Sequence, residues 1–474
     1  MALAGDGPAS RLDEVTPHLG RTVLVASTAA LAGFLFGYDT AVINGAVEAV
    51  GEHFGPGKFV LGLAVAIALL GAAVGAWYAG RLADRYGRIR VMVIAAVFFL
   101  VSALGSAFAF TIYDLAFWRF IGGVGVGAAS VIAPAYIAEI SPAHLRGRLG
   151  SLQQMAIVVG IFASLLVDYA LVSASGSAAN PLWFGIETWR WMFLSLAVPA
   201  LVYGVLSLTI PESPRYLVAK RELTRAADVL RRFVGGDVSA KIKEIAATLR
   251  GDDDSGRPGL RALRGTALGV APIVWVGVLL SVFQQFTGIN VIFYYSSTLW
   301  RAVGFTEQDA MLTSVITSVT NILTTLIAIA LVDRVGRKPL LLVGAAGQFV
   351  CLLTMAVVFA TAPVVDGTPQ LGGAGPVALI AANLYVVFFG CSWGPVVWVM
   401  LGEMFNNRIR AMALAVAAAA QWLANFVIST TFPPLASAGL GLAYGLYTLF
   451  ALLAVVFVIK FIRETKGKEL EEMI

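Results

Sequence analysis

Charge is scarce in this sequence. Only 13% of its 474 residues are Asp, Glu, Lys or Arg, against 59% that are hydrophobic, and the mean hydropathy is +0.84. No ordinary soluble domain has that balance, so the chain reads as a polytopic membrane protein. Cysteine is scarcer still: Cys351 and Cys391 both fall inside apolar runs, so no disulfide framework is implied. The histidines His18, His53 and His144 are isolated, and no Ser/His/Asp set shares one depth. Neither a metal centre, a cofactor nor a catalytic constellation is expected. The formal net charge of +5 comes without the soluble basic face that nucleic acid requires. The N-terminal stretch has no apolar core flanked by basic residues, so no cleavable signal peptide is expected and the first apolar run serves as the insertion signal.

What is present is a series of apolar runs, at roughly 22–46, 59–80, 90–111, 114–138, 150–173, 189–210, 270–298, 309–332, 339–361, 376–401, 411–431 and 440–462. Each is near the length of a spanning helix, which predicts twelve spans. The termini and even-numbered loops hold most of the basic residues, including Arg81, Arg85, Arg88, Arg90, Arg334, Arg337, Lys338 and Arg410, whereas the opposite loops hold only Lys58, Arg190 and Arg301. The basic side faces the cytoplasm, so both termini are expected there. One long hydrophilic segment, 211–267, divides the runs six and six. Its charged residues recur at helical spacing, so it reads as surface helices and a solvated connector. The expected organisation is an N-terminal six-helix bundle (1–210), cytoplasmic linker helices (211–267), and a C-terminal six-helix bundle with tail (268–474).

The two halves repeat one another. Asp84-Arg85-Tyr86-Gly87-Arg88 matches Asp333-Arg334-Val335-Gly336-Arg337, Glu139 before Arg146 matches Glu403 before Arg410, and the sixth spans end at Glu212 and Glu464. The offsets, 333 − 84 = 249, 403 − 139 = 264 and 464 − 212 = 252, imply one duplicated six-span unit. Duplicated transporters commonly work from a site between two such halves, opened alternately to each side.

The seventh run carries an unusual polar stretch, Gln284-Gln285-Phe286-Thr287-Gly288-Ile289-Asn290, followed by Val291-Ile292-Phe293-Tyr294-Tyr295. Amides and hydroxyls are costly in hydrocarbon and belong against protein or a watery cavity. Carboxamides donate and accept at once, which suits a ligand made of hydroxyls, and flat aromatic rings suit the apolar face of a sugar. In a straight helix Asn290 points away from the Gln284/Gln285 face. Gly288 is therefore where the helix is expected to loosen so that all three converge. The glycine run Gly122 to Gly127 lies within a span and follows no strand, so it reads as close helix packing and not as a nucleotide loop.

The ordered set GRLADRYGRIR, Pro134-Ala135-Tyr136-Ile137-Ala138-Glu139, Arg146-Gly147-Arg148, PESPRYL (211–217), QQFTGINVIFYYS (284–296), DRVGRKPL (333–340), WGPVVWVMLGEMF (393–405) and QWLANF (421–426) resembles the sugar porter branch of the major facilitator superfamily, from about Leu24 to Lys468. The resemblance implies an all-α membrane fold of two pseudo-symmetric six-helix bundles, monosaccharide ligands with a hexose such as glucose first, and a monomer. Carried over by position, it implies sugar hydrogen bonds from Gln154, Gln284, Gln285, Asn290, Asn321, Gln421 and Asn425. Trp398 would lie against the sugar ring, and Phe36, Tyr294 and Trp393 would form aromatic walls or gates. Depth agrees: Gln421 from one edge and Asn321 from the other each lie about 15 Å into a ~30 Å core. For any single amide an interhelical hydrogen bond is the rival reading, and for Gln153 it is the preferred one.

Two buried charges bear on what drives transport. Asp39 lies about 24 Å along the first run from the cytoplasmic side, and Arg119 about 9 Å down the fourth from outside, so the two sit at similar depth. A carboxylate alone there is driven to its neutral form, and a guanidinium beside it keeps it ionised. Separating them therefore invites a proton. In family terms an Asp at this position resembles a proton/sugar symporter; a static ion pair is the competing reading. The loop charges Asp84, Arg85, Arg88, Glu139, Arg146, Asp333, Arg334, Arg337, Glu403 and Arg410 are expected to form a cytoplasmic network that closes that side, and only a partly buried network biases such an equilibrium. A passive sugar facilitator and a non-transporting sugar receptor remain the other functional readings.

Overall fold

A computed structural model describes residues 16–141, 146–233, 238–254, 263, 270–365, 368–369, 371–405 and 409–464. Twelve helices in it are long and apolar enough to cross a membrane: Gly20–Phe54, Lys58–Tyr86, Arg88–Ala107, Ile112–Ile140, Ser151–Ser175, Thr188–Thr209, Pro272–Ala302, Glu307–Val332, Arg337–Thr361, Gly372–Met404, Met412–Ala438 and Leu440–Phe461. The twelve expected spans are present, six on each side of the hydrophilic segment. That segment forms the helices Pro214–Ala219, Leu223–Phe233 and Val238–Asp254. The second of these buries Ala226, Val229, Leu230 and Phe233, and Thr22 at the foot of the first span donates to the Phe233 carbonyl at 3.1 Å.

Helix boundaries follow local chemistry. The second and eighth spans end at Gly87 and Gly336, whose φ values of 98° and 101° favour glycine. The helices that follow begin at Arg88 and Arg337 with backbone N–H groups that have no partner in their own helix. A distant carboxylate supplies the cap in each half. Glu212 accepts from the N–H of Arg88 (3.0 Å) and Ile89 (3.3 Å), and Glu464 accepts from the N–H of Arg337 and Lys338 (both 3.0 Å). A negative charge at a helix N-terminus also favours the helix dipole.

Packing within the halves uses small residues. An added Cβ at Gly123 or Gly127 of the fourth span would collide with the carbonyls of Ala68 or Ala72 in the second, as would one at Gly71 or Gly75 with Phe120 or Val124. The glycine run is thus a seam of backbone approach, as expected, in a medium where such seams replace the hydrophobic effect as glue. Long spans are broken where the site lies: the seventh divides into Pro272–Phe286 and Ile289–Ala302, and the tenth carries a π turn at Phe389–Trp393 between Gly375–Phe388 and Gly394–Met404.

Candidate functional site

The break in the seventh span sits at Gly288, in the left-handed region at φ 88°. Tyr385 of the tenth span fixes the opened turn by donating to the Thr287 carbonyl at 2.9 Å. The turn does what the sequence required of it. Gln285 donates to Gln284 Oε1 at 3.2 Å, and Asn290 donates to Gln285 Oε1 at 2.5 Å, so the three amides form one chain. Gln284 in turn donates to the carbonyls of Trp393 (2.8 Å) and Gly394 (3.2 Å), which lie at the end of the π turn. Backbone loosened in the tenth span thus anchors side chains of the seventh.

The remaining candidates divide. Asn425 is hydrogen-bonded to Tyr294 and accepts from Ser429 Oγ at 3.1 Å, which joins the eleventh span to the seventh. Gln421 is half-buried, and its Oε1 has no partner among the described residues. Asn321 is buried beside Gly390 at the π turn, and Gln154 is half-buried on the fifth span. Phe36 of the first span meets Trp422 of the eleventh, with ring centroids 5.8 Å apart. Trp398, at 40% exposure, is the most open of the candidates expected to face sugar. Trp393 departs from expectation. It is fully buried, with its Nε1–H donating to the Leu341 carbonyl at 2.9 Å, so it is an anchor for Gln284 and not an aromatic wall. Gln153 departs as well: both its amide atoms are buried against Gly33 without a hydrogen-bond partner, so the interhelical bond expected of it is not made.

Asp39 and Arg119 meet. Each is 2% exposed, and Arg119 Nη1 lies 3.7 Å from Asp39 Oδ1 while donating to the Asp39 carbonyl at 2.9 Å. The second carboxylate oxygen and Arg119 Nε have no hydrogen-bond partner among the described residues. The guanidinium is thus held mainly by backbone, and the side-chain pairing is long for a direct hydrogen bond. Both charges act electrostatically on Tyr294, so this pair and the amide chain belong to one neighbourhood.

At the basic end, Arg88 and Arg337 each pair with a glutamate of their own half. Arg88 binds Glu139 through Nε (3.0 Å) and Nη2 (2.9 Å), with Asp84 at 3.6 Å; Arg337 binds Glu403 through Nε (3.1 Å) and Nη2 (2.8 Å). These two pairs join spans of the same bundle, whereas the sequence reading had them closing the cytoplasmic side. Arg85 stacks on Tyr86 at 5.2 Å, and Arg334 lies on the helix end preceding Gly336. The side chains of Arg146, Asp333 and Arg410 lie outside the described residues.

The halves are joined at the opposite end. Asn44 of the first span donates to the Phe293 carbonyl (2.8 Å) and Ser296 Oγ (2.9 Å), accepts from Ser297 N–H (3.2 Å), and receives Ser297 Oγ–H on its own carbonyl. Arg301 reaches Glu48 at 3.2 Å, and Glu307 accepts from the Ala178 N–H at 2.8 Å. The mouth at this end is closed.

Sequence reasoning missed Trp422, Asn44 and Asp168. Trp422 stands beside a named glutamine. Asp168, a lone acid inside an apolar run, carried the same signal that singled out Asp39.

Residues 25–474 match the family model described as sugar (and other) transporter. The chain is 58% identical to the glucose transport protein of Synechocystis sp. over 98% of this chain and all of that one, and 39% identical to the D-xylose-proton symporter of Escherichia coli over 95% and 94%. Among solved structures it is similar to the xylose transporter XylE of E. coli, at 37% identity and a TM-score of 0.78 for the inward-open form (95% and 98% covered) and 36% and 0.80 for a partially occluded inward-open form (94% and 99%). With a closed mouth above a broken-helix amide cluster and a match along nearly its whole length, the chain belongs to the sugar transporter family, the sugar porters of the major facilitator superfamily.

Proposed function

We propose that this protein carries a monosaccharide, a hexose such as glucose, across the cytoplasmic membrane together with a proton, by alternating access between two bundles. The observation that carries the reading is the chain Gln284–Gln285–Asn290 at the Gly288 break, bonded on one side to the tenth span and set beside Tyr294, on which Asp39 and Arg119 act. The relatives supply the substrate class: one is a glucose transport protein and another a D-xylose-proton symporter. In this reading Gln154, Asn321, Gln421 and Asn425 complete the hydrogen-bonding set and Trp398 covers the apolar face of the ring. The protein acts as a monomer with both termini cytoplasmic, and the bundles 1–210 and 268–474 rock about the site.

Coupling follows from the geometry of the pair. When Asp39 takes a proton it no longer attracts Arg119, and the guanidinium keeps its hydrogen bond to the Asp39 carbonyl. The first and fourth spans are then free to shift against Tyr294 and the seventh. The test is reconstitution in liposomes with a panel of labelled sugars, with and without a pH gradient. Counterflow of a hexose and gradient-driven accumulation are expected, and Asp39→Asn is expected to keep counterflow while losing accumulation. Uptake that ignores a protonophore would show a passive facilitator instead.

A further inference from the structure

The described residues contain a second acid as deeply buried as Asp39. Asp168, on the fifth span, is 1% exposed, and neither carboxylate oxygen receives a hydrogen bond from a side chain. It lies two turns beyond Ile161 and about four turns, roughly 21 Å, beyond Gln154, toward the closed mouth. The fifth span packs there on the outer half of the first span, against Gly45. An added Cβ at Gly45 would stand 2.7 Å from Asp168 Cγ and Oδ2, and the Gly45 amide is the polar group beside the carboxyl.

Among the described residues its surroundings hold no counterion. The elements packed on this helix are the two parts of the first span and the fourth, sixth and eighth spans. Tyr38, which shares a 2.6 Å hydrogen bond with Ser195 of the sixth span, is the titratable group that Asp168 acts on. Among the described residues no guanidinium, ammonium or imidazole forms an ion pair with Asp168, and both its oxygens lack a hydrogen-bond partner. An unpaired ionised carboxylate is costly in such a place, a cost that binding a proton removes.

What covers Asp168 is the seal itself. Gly45 is adjacent in sequence to Asn44, whose side chain and carbonyl make the bonds that join the first span to the seventh. Opening the mouth breaks those bonds and parts the fifth span from the eighth, whose Gln308 donates to Ser173 Oγ at 3.2 Å little more than a turn beyond Asp168, and so opens the carboxyl to outer water.

We propose that Asp168 is a second proton-binding acid, one that gates rather than drives: it takes a proton from the outer solution as the mouth closes over it and returns that proton to the same side as the Asn44 seal parts. The inference rests on the alternating-access reading above and assigns to Asp168 a role separate from that of Asp39. Closing consumes a proton, so lower outer pH favours the closed mouth and higher pH the open one. Because the proton leaves by the side it entered, Asp168 does not enter the proton-to-sugar ratio.

The test uses the full chain in liposomes, with Cys351 and Cys391 replaced by serine and spin labels on Gly57→Cys and Gly373→Cys, two positions where an added Cβ meets nothing within 4 Å. In the Asp39→Asn variant, where Asp39 no longer titrates, the population with the short distance should fall as pH rises, and adding Asp168→Asn should remove that response. A pH response that survives in the double variant, or one abolished by Asp39→Asn alone, overturns the proposal. Should Asp168→Asn fail to assemble, Asn44→Ala gives an independent reading: each tenfold weakening of closure should move the pH midpoint down by ~1 unit, and a midpoint that stays in place while closure weakens overturns the proposal. Wild-type uptake indifferent to a protonophore, combined with pH-dependent closing, would remove coupling through Asp39 and leave the gate at Asp168 standing.

Discussion

The three amides of the seventh span are chemically alike and structurally unequal. Gln284 holds two backbone carbonyls of the tenth span, whereas Gln285 binds only its neighbours Gln284 and Asn290. Removing a donor from a buried carbonyl costs about 1–3 kcal/mol. Gln284→Leu is therefore expected to lower the melting temperature as well as sugar affinity, while Gln285→Leu raises the half-saturation concentration by about tenfold or more with a smaller thermal shift. Equal thermal shifts in the two variants would contradict the anchoring role of Gln284. The residue scale is also where reading the sequence was least even. Glutamines and acids inside apolar runs stand out because they are expensive there, which exposed Asp39 and the amide set. Asp168 carries the same cost in an apolar run. Trp393 misled for the opposite reason: an indole in a span looks like a ligand platform until its N–H is found bonded to the Leu341 carbonyl.

Among elements, the broken seventh span was legible because its polar side chains could converge only if a glycine opened the helix between them. The π turn of the tenth was not legible, since the extra residue in Phe389–Trp393 leaves no signature in composition or period. The two irregularities act together: the Trp393 and Gly394 carbonyls are the acceptors that Gln284 uses. The break is sterically specified. At Gly288 an alanine would adopt a left-handed conformation costing about 1–2 kcal/mol, and its Cβ would stand 2.8 Å from Tyr447 Cδ2. Gly288→Ala is thus expected to lower both thermal stability and counterflow. Adding Tyr447→Leu should recover part of the loss, because it relieves the clash and leaves the backbone term in place. Recovery to the parent level would mean that the left-handed turn itself contributes nothing; no recovery would mean that the ring contact does not matter.

At the scale of the whole molecule, the duplication seen in sequence returns as matching hardware. Arg88, Glu139 and Glu212 in one half, and Arg337, Glu403 and Glu464 in the other, tie helix ends together within a bundle. The repeat marked the residues and not their pairing: partner choice depends on which helix ends lie side by side, and that emerges only from the packed bundle. Such internal ties suit two bodies that move as units. The bonds that hold one body to the other at the closed mouth involve different residues, chiefly Asn44 with Phe293, Ser296 and Ser297. Breaking a tie of the first kind should weaken a bundle, and breaking one of the second should shift an equilibrium. Arg88→Ala takes the guanidinium from Glu139, which keeps only the Ser213 hydroxyl, while Glu212 keeps its backbone N–H donors; it is expected to destabilise the N-terminal bundle by about 3–5 kcal/mol, read as a lower melting temperature with little change in the label distance across the mouth. Asn44→Ala removes several cross-bundle hydrogen bonds, each contributing about 0.5–1.5 kcal/mol, and should move the population at least about tenfold toward the open mouth with a smaller effect on melting. Distances that respond to Arg88→Ala and not to Asn44→Ala would reverse the assignment of tie and latch.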